Sequence, residues 1–230
     1  MIRHLMWILT ILVASVFCSS AVVGQDGLAL MKVETGARPA GMAGAFTAVS
    51  GSADAMAYNP AAAFVTDRLT GSFGHVAYWD DIRLESGHVA LSLWPKLSMH
   101  AGIRYASIGD IEKRGETPSS EPLELFDAQD ASIKFGAAYA VTEKVSAGVS
   151  AGWYFEKIDQ SSGWAFNVDL GVTMQATQSL ALGASAMNLG SEMTLDMAGR
   201  AMSRPIDLPT QYRAGAAYTY DRVLGTVDVL

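Results

Sequence analysis

The sequence predicts an all-β protein: an antiparallel transmembrane β-barrel preceded by a small plug of turns and a short helix. Three observations carry this prediction. Apolar and small residues alternate with a period of two in most of the chain after residue 69, only 17% of the residues are charged, and the connections between the alternating runs are alternately short and long. A typical soluble domain carries about 25% charged residues, so the low charge indicates a non-aqueous neighbour.

The first 24 residues have the form of an export signal. Arg3 precedes an apolar run over 5–17, and small residues follow it. This order is typical of a cleavable secretory signal peptide, and we expect cleavage after Ala21 or Gly24. Cys18 is the one cysteine of the chain and lies inside this segment, so the mature protein is expected to have no disulfide.

The prediction of strands depends on strict alternation, because no later stretch approaches the roughly 18 unbroken apolar residues of a membrane helix. A chain without such helices can satisfy its backbone groups in hydrocarbon only as a closed barrel. In the run 145–155 the larger apolar residues share one face, and comparable alternation marks 97–105, 133–141, 164–174 and 212–220. The opposite face of the 145–155 run carries Ser146, Gly148, Ser150, Gly152 and Tyr154.

The composition of the second face distinguishes a barrel from a soluble β-sandwich, which is the alternative with the same alternation. This face is mostly Gly, Ala and Ser with about one charge per strand, which suits the interior of a barrel. The polar residues predicted to face the lumen are Arg104, Lys134, Asn167, Asp169 and Arg213.

Aromatic residues are concentrated toward the ends of the predicted strands, as in the interfacial girdles of outer-membrane barrels. They are Tyr78, Trp79, Trp94, Tyr105, Trp153, Trp164, Tyr218 and Tyr220. Their positions favour the barrel over the sandwich.

The connections predict the topology. The short ones are 95–96, 142–144, 176–179 and 221–222, and the other set is 80–81, 107–129, 158–163 and 190–209. Outer-membrane barrels have short periplasmic turns and longer outside loops, which predicts a periplasmic N-terminus and a first strand near 69–79 that runs outward. About eight strands are complete and a ninth begins near Leu224, so we expect residues 69–230 to form an incomplete barrel with open edges.

Residues 25–68 are predicted to form a periplasmic plug. The part from 34 to 66 is rich in Gly and Ala and lacks a period of two, and Asn59-Pro60-Ala61 has the form of an N-cap followed by a proline at the first helical position. We expect this segment to fold back against the inner face of the barrel. Small residues on both sides would let the backbones approach closely, and the wall glycines are Gly102, Gly136, Gly148 and Gly171.

Two blocks of the plug resemble a known family. Residues 36–49, Gly-Ala-Arg-Pro-Ala-Gly-Met-Ala-Gly-Ala-Phe-Thr-Ala-Val, and residues 54–61, Asp-Ala-Met-Ala-Tyr-Asn-Pro-Ala, resemble the N-terminal region of the PorV/PorQ family of FadL-like outer-membrane barrels. Weaker likenesses at Asp169-Leu-Gly, Asn188-Leu-Gly and 208–218 extend the resemblance over roughly 28–222. The resemblance implies about fourteen strands in the complete barrel and an Asn-Pro-Ala motif in a hatch inside the lumen.

Two functions follow from this resemblance, and the sequence leaves both open. The PorV/PorQ likeness implies an accessory protein of type IX secretion that binds secreted cargo, or secretion-gate and attachment proteins. The FadL likeness implies a channel for the uptake of hydrophobic small molecules. Both imply contact with outer-membrane lipid in a Gram-negative cell.

Other kinds of chemistry find little support in the sequence. His75, His88 and His100 lack ligand spacing such as His-Glu-x-x-His, so we expect no metal, cofactor or catalytic site. Ser98 and His100 share a face, which leaves a lumenal lipid hydrolase as a minor alternative. The net charge of −7 comes without basic clusters, so nucleic-acid binding is not expected.

Overall fold

The computed structural model describes residues 33–78, 82–117, 119–197, 200–201 and 205–230. The predicted signal peptide 1–24, the first part of the predicted plug and the predicted 80–81 connection lie outside these ranges. Within the described ranges, no helix is long and apolar enough to span a membrane.

The fold is all-β and is built on one antiparallel sheet. Its strands are β1 (Leu69–Ala77), β2 (Arg83–Trp94), β3 (Leu97–Lys113), β4 (Glu124–Ala140), β5 (Val145–Ile158), β6 (Ser161–Gln175), β7 (Leu180–Gly190), β8 (Asp196–Met197), β9 (Arg200–Ala201), β10 (Gln211–Tyr220) and β11 (Val223–Val229). The main path joins nine strands in the order β1 to β7, then β10 and β11, while β8 pairs with β6 and with β9. No ladder joins β1 to β11 among the described residues, so the sheet is open.

Side chains alternate between two faces of the sheet, as the sequence predicts. Val149 and Leu170 are exposed on the outer face, whereas Ser150, Asn167 and Asp169 are buried on the inner face, which the N-terminal segment covers. Large apolar side chains in a soluble protein are usually inside and acidic ones outside. This sheet therefore reverses the usual distribution.

The N-terminal segment, residues 33–66, is named the plug segment below. It contains the five-residue helix α1 (Ala37–Gly41) and two 3-10 helices, Ala53–Ala57 and Pro60–Ala63. The larger apolar core of the molecule lies between this segment and the sheet, where Phe46 and Tyr58 pack with Ala217 of β10. Turns and short helices form here because a run of Gly, Ala and Pro without alternation offers no face for a strand.

Two predicted connections are wrong. The predicted loop 107–129 shortens to 114–123, because β3 and β4 continue past a register shift near Ile108 to the pair formed by Lys113 and Glu124. The connection 158–163 reduces to two residues, of which Asp159 has φ 53°. Both hairpin ends carry polar residues on each face, so the alternation of apolar residues that predicts a strand is lost there, although the backbone hydrogen bonds between the strands continue. The alternation of short and long connections is therefore weaker than predicted.

Candidate functional site

Asn59 lies at the centre of the contact between the plug segment and the sheet. Its side chain is fully buried, and its Oδ1 accepts a hydrogen bond from the Ala61 N–H at 3.0 Å, which caps the 3-10 helix that begins at Pro60. Its Nδ2 donates to the carbonyls of Thr47 at 2.9 Å and Val172 at 3.0 Å. The predicted N-cap role of Asn59 is confirmed, and the same side chain also fastens the plug segment to β6.

Two of the predicted wall glycines lie directly under this motif. A Cβ atom on Gly171 would stand 1.9 Å from Asn59 Oδ1, and one on Gly148 would stand 2.3 Å from the Ala61 nitrogen. No real Cβ is tolerated at such distances, so the Asn59 side chain and the Ala61 backbone approach the sheet this closely only because both wall positions are glycine. The expectation of close packing between the plug segment and glycines of the sheet is confirmed at these two positions.

The other two predicted wall glycines have different neighbours. A Cβ on Gly102 would stand 3.0 Å from the Met56 side chain of the plug segment, but one on Gly136 would stand 2.3 Å from His100 Nε2 and 2.6 Å from Ser150 Oγ. Gly136 therefore makes room for two side chains of neighbouring strands and not for the plug segment. Gly183, which the sequence does not distinguish from other strand glycines, makes a contact of the expected kind with a plug carbonyl.

Gly171→Ala is expected to destabilise the seating of the plug segment by about 1–3 kcal/mol, the usual range for overpacking. Limited proteolysis of the folded protein measures this as faster cleavage within residues 40–62. Gly87→Ala is the matched control, because a Cβ there meets only Ile103 Cγ2 at 3.5 Å, an ordinary contact. Equal cleavage rates in the two variants would show that the close contact does not hold the segment in place.

The plug segment is also hydrogen-bonded to β11 through Asp228. One carboxylate oxygen of Asp228 accepts from the backbone N–H groups of Phe46 at 3.1 Å and Thr47 at 3.0 Å, and from the Thr47 hydroxyl at 2.6 Å. These three hydrogen bonds join residues 46 and 47 of the plug segment to β11. Asp228 belongs to the inward-facing set of β11, yet the sequence gives no sign that it binds the plug segment.

A second carboxylate fastens the plug segment at β1 and β2. Asp54 accepts a hydrogen bond from the Ser72 hydroxyl of β1 and lies 3.5 Å from His88 Nδ1 of β2. These contacts, the one with His88 first, hold the pKa of Asp54 below its ordinary value against the opposing effect of burial. The Asp54 carboxylate therefore keeps its charge at neutral pH.

Hydroxyl groups of two further strands hold the middle and the end of the plug segment. Ser185 of β7 donates to the Tyr58 carbonyl at 2.7 Å. Ser98 of β3 donates to the Val65 carbonyl at 2.9 Å and accepts from the Val65 N–H at 3.1 Å. These small inward-facing hydroxyls replace the hydrogen bonds that the plug backbone would otherwise make with water.

Arg104, Lys134 and Arg213, all predicted to face the lumen, line one cavity of about 380 Å³ between the plug segment and the sheet. Arg104 donates to the Val33 carbonyl at 2.6 Å, and Arg213 donates to the Gly44 carbonyl at 2.7 Å. Two of these three cations are thus hydrogen-bonded to the plug backbone.

Tyr58 forms the plug-side wall of this cavity. Its hydroxyl donates to the Glu34 carboxylate, and the guanidinium of Arg213 lies 5.1 Å from the centre of its ring. Burial, and then the negative charge of Glu34, raise the pKa of the Tyr58 hydroxyl. The phenol is therefore a neutral donor.

Lys134 is held by a polar network of the inner face that includes Asp169, Asn188 and Tyr154. Its Nζ lies 2.7 Å and 2.9 Å from the two oxygens of Asp169, which is 0% exposed, and 2.8 Å from Asn188 Oδ1. The Tyr154 hydroxyl donates to the same Asn188 oxygen at 2.7 Å. The predicted residue Asp169 therefore balances the charge of Lys134. Lys134 lines the cavity, whereas Asp169 does not.

Asn188 is the main member of the site that the sequence prediction missed. It has φ 59° and lies where the register between β6 and β7 shifts, and its N–H donates to Asp169 at 2.7 Å. Its side chain donates to the Pro209 carbonyl at 2.9 Å. Asn is among the few non-glycine residues that adopt positive φ readily, so Asn188-Leu-Gly near the end of a predicted strand is a signal for such a bulge.

Asn167, the fifth predicted lumenal residue, is buried but does not line the cavity. Its Nδ2 donates to the Gly152 carbonyl of β5 at 3.3 Å. The structure therefore brings four of the five predicted residues to one site. Three of them line the cavity and Asp169 binds one of these three, whereas Asn167 is bonded only to the neighbouring strand β5.

The connection between β7 and β10 packs on the inner face beside Tyr154, which lines the cavity. Met193, Leu195 and Leu208 of this connection pack on Tyr154 and Ala165 of the inner face. A pair of backbone hydrogen bonds of 2.8 Å joins Met193 to Ile206. This connection forms a second, smaller apolar cluster on the inner face.

Ser98 and His100, the predicted minor hydrolase pair, make their hydrogen bonds with different residues. Ser98 is bonded to Val65 as described above, and His100 Nε2 lies 2.8 Å from Ser150 Oγ. Both side chains are buried. Within the described ranges, no three His, Cys, Asp or Glu side chains are grouped as a metal site.

The chain matches no protein-family model, and no curated protein matches it in sequence.

Proposed function

We propose that this protein is an outer-membrane β-barrel of the PorV/PorQ type in a Gram-negative cell, an accessory to type IX secretion that binds cargo or partner proteins. The reversed sheet is the observation that supports the membrane location. Val149, Leu170 and Val172 are exposed on adjacent strands, whereas Asp169 is 0% exposed on the opposite face. In water such a sheet would expose its apolar face, whereas lipid would cover it.

The outward-facing apolar side chains of β5 form a row, named the apolar stripe below, and the height of this stripe supports the same location. From Val145 to Phe155 it extends over ten residue steps of β5, which is about 33 Å along the strand. At the strand tilt of outer-membrane barrels, this length gives a band about 25 Å tall, the height expected for their apolar belt. Tyr105, Phe155 and Trp164 lie at the outer end of the stripe, where an aromatic girdle is expected.

The firm seating of the plug segment supports a binding role in preference to conduction. Asn59, Asp54 and Asp228 fasten it to the sheet, and glycines of β5 and β6 lie directly against its residues 59–61. A lumen filled in this way leaves the loops and rims as the surfaces for partner proteins. The PorV/PorQ resemblance of residues 36–49 and 54–61 supplies the type of partner, namely secreted cargo or secretion-gate and attachment proteins.

A FadL-like channel for hydrophobic small molecules is the second candidate, and the cavity favours it. Its volume of about 380 Å³ and its apolar residues, which include Met56, Met187 and Leu230, suit a small ligand. A lumenal lipid hydrolase is not favoured, because the Ser98 hydroxyl is buried and hydrogen-bonded to Val65.

The mature protein is expected to fractionate with outer membranes and to resist extraction by alkali, because lipid covers its apolar face. Recovery in the soluble periplasmic fraction would contradict the membrane location.

Purification from a mild detergent extract distinguishes the two candidate functions. Co-purification of a secretion-gate or cargo protein supports the accessory role. Conductance or ligand uptake in liposomes without any protein partner supports the channel.

A further inference from the structure

A groove of about 410 Å³ lies between the plug segment and the inner face at the end of the sheet that carries the short connections. It is named the turn-end groove below. Phe64 of the plug segment, Ser146 of β5 and Thr173 of β6 line its interior, and exposed residues of the connections 95–96 and 142–144 form its rim. The strands that line it, β4 to β7, each have a paired neighbour on both sides. Its shape therefore does not depend on the strands at either end of the path.

Two lysines of the rim have no partner in the protein. The amines of Lys96 and Lys144 make no ion pair or hydrogen bond with a described residue, whereas Lys113 and Lys134 are paired with carboxylates. Glu143 is the one acidic residue among those that line the groove. The lining thus has a net positive charge, although the whole chain has a formal net charge of −7. This local charge favours a negatively charged ligand.

Backbone hydrogen bonds hold both lysines in position. The Lys96 carbonyl accepts from the Ala140 N–H at 2.9 Å, and the Lys144 carbonyl accepts from the Gln175 N–H at 2.7 Å. The Thr142 hydroxyl accepts from the Lys144 N–H at 3.2 Å. A ligand that binds both lysines therefore does not have to order the turns that carry them.

The spacing of the lysines suits a ligand with several carboxylates in a row. Lys96 directly precedes β3 and Lys144 directly precedes β5, with β4 between them, so their backbones are about 10 Å apart across the sheet. Alternate residues of an extended chain share one side and lie about 7 Å apart. Glutamates at alternate positions of one extended segment can therefore meet both lysines, because lysine side chains are long and flexible.

The interior of the groove suits a peptide chain. The hydroxyls of Ser146 and Thr173 make no hydrogen bond with another described residue, so they are available to the N–H and C=O groups of a bound backbone. The half-buried ring of Phe64 offers an apolar contact beside them. The volume lies within the usual range of ligand pockets, about 300–1,000 Å³, and the exposed rim lets a longer chain continue into solvent.

We propose that the turn-end groove is the docking site for an extended acidic segment of a partner protein. Lys96 and Lys144 bind carboxylates of alternate residues, the two hydroxyls bind the backbone, and Phe64 contacts an apolar side chain. In the proposed orientation the groove opens to the periplasm. The inference itself depends neither on the membrane location nor on a role in secretion.

A peptide of defined sequence tests this site on the purified mature protein in detergent. The probe is fluorescein-labelled Gly-Glu-Leu-Glu-Ser-Glu-Gly, and its control carries glutamine at the three glutamate positions. Fluorescence anisotropy is expected to show binding of the glutamate peptide about tenfold tighter than that of the control. The difference is expected to shrink as salt is added, because salt screens exposed charges.

Substitutions at the rim test which charges are responsible. Lys96→Gln with Lys144→Gln is expected to weaken binding of the glutamate peptide by about tenfold, while Glu143→Gln strengthens it by removing a repelling charge. All three residues are exposed, so the substitutions are expected to leave the fold intact. Lys157→Gln is the matched control, since Lys157 is an exposed lysine at the opposite end of β5 and does not line the groove.

Protection of a single thiol tests the location independently of charge. Gln175→Cys places a thiol in the groove, and Gln178→Cys places one in the next connection, outside it. The mature protein supplies no competing thiol, since Cys18 lies in the predicted signal peptide. Saturating glutamate peptide is expected to slow the reaction of maleimide with the first thiol and to leave the second unchanged.

The proposal would be overturned by equal affinities for the two peptides, or by a loss in Lys157→Gln as large as in the double variant. Equally tight binding of free glutarate would assign the groove to a small dicarboxylate. Self-association of the parent protein that the double variant lacks would assign it to a second copy of the chain. Either result would also overturn the partner segment. Because the assays use purified protein and synthetic peptides, an error in the proposed location or secretion role leaves their outcome interpretable.

Discussion

Lys134→Met is expected to lower the free energy of unfolding by about 3–5 kcal/mol, the cost of breaking a buried ion pair by removing one partner. The substitution keeps the length of the side chain but leaves the fully buried carboxylate of Asp169 without its cation. The Asn188 side-chain oxygen loses a donor at the same time. Urea unfolding followed by tryptophan fluorescence measures the effect.

The double variant separates the charge from the packing. Lys134→Met with Asp169→Asn removes both charges, so it is expected to lose much less stability than the sum of the two single variants. Lys113→Met is the matched control, because Lys113 is 50% exposed in its pair with Glu124, and solvent screening leaves an exposed pair with little effect on stability. A loss in Lys134→Met no greater than in Lys113→Met would contradict the buried network as a source of stability.

Leu170→Arg is expected to cost about 2–4 kcal/mol in folding into a bilayer, the cost of an arginine on the lipid face near the midplane of a barrel. Leu170 is paired with Val149, close to the middle of the apolar stripe of β5. The midpoint of urea unfolding in lipid vesicles measures this cost.

Leu123→Arg is the control for this substitution. Leu123 is 72% exposed in the connection between β3 and β4, beyond the aromatic residues that mark the outer end of the stripe. A charge there remains in water, so we expect a change within about 0.5 kcal/mol. Equal small effects at both positions would mean that the outer face meets water, and the proposed location would then be wrong.

The period of two was enough to assign the faces of the sheet, because a register error of one residue would reverse every side chain. This period predicted that Lys134 and Asp169 lie on the same face, but it did not predict that they are in contact. Their strands, β4 and β6, are separated by β5, and the Lys134 side chain crosses β5 at Gly152, where a Cβ would stand 2.8 Å from Lys134 Cγ. Gly152, which has no side chain on the intervening strand β5, was the sequence feature that indicated this pair.

The period of two could not predict the contacts that depend on local departures from it. The bulge places Asn188 where it makes hydrogen bonds with several residues of the Lys134 network. Alternation of side chains does not predict a single residue with positive φ. The anchoring of Phe46 and Thr47 by Asp228 joins distant parts of the chain. The lengths of β3 and β4 were underestimated because solvated hairpin ends carry polar residues on both faces.

The bond between Phe46 and Asp228 spans 182 positions of the chain. Contacts of such high sequence separation give a large contact order, and folding slows because the chain must close a very long loop before the contact contributes anything. The plug core is therefore among the last parts to be completed, and until then both the apolar stripe and the unsatisfied plug backbone are exposed together. A nascent chain in this state is prone to aggregate, so the proposed outer-membrane location predicts that the chain requires a holding chaperone before it inserts.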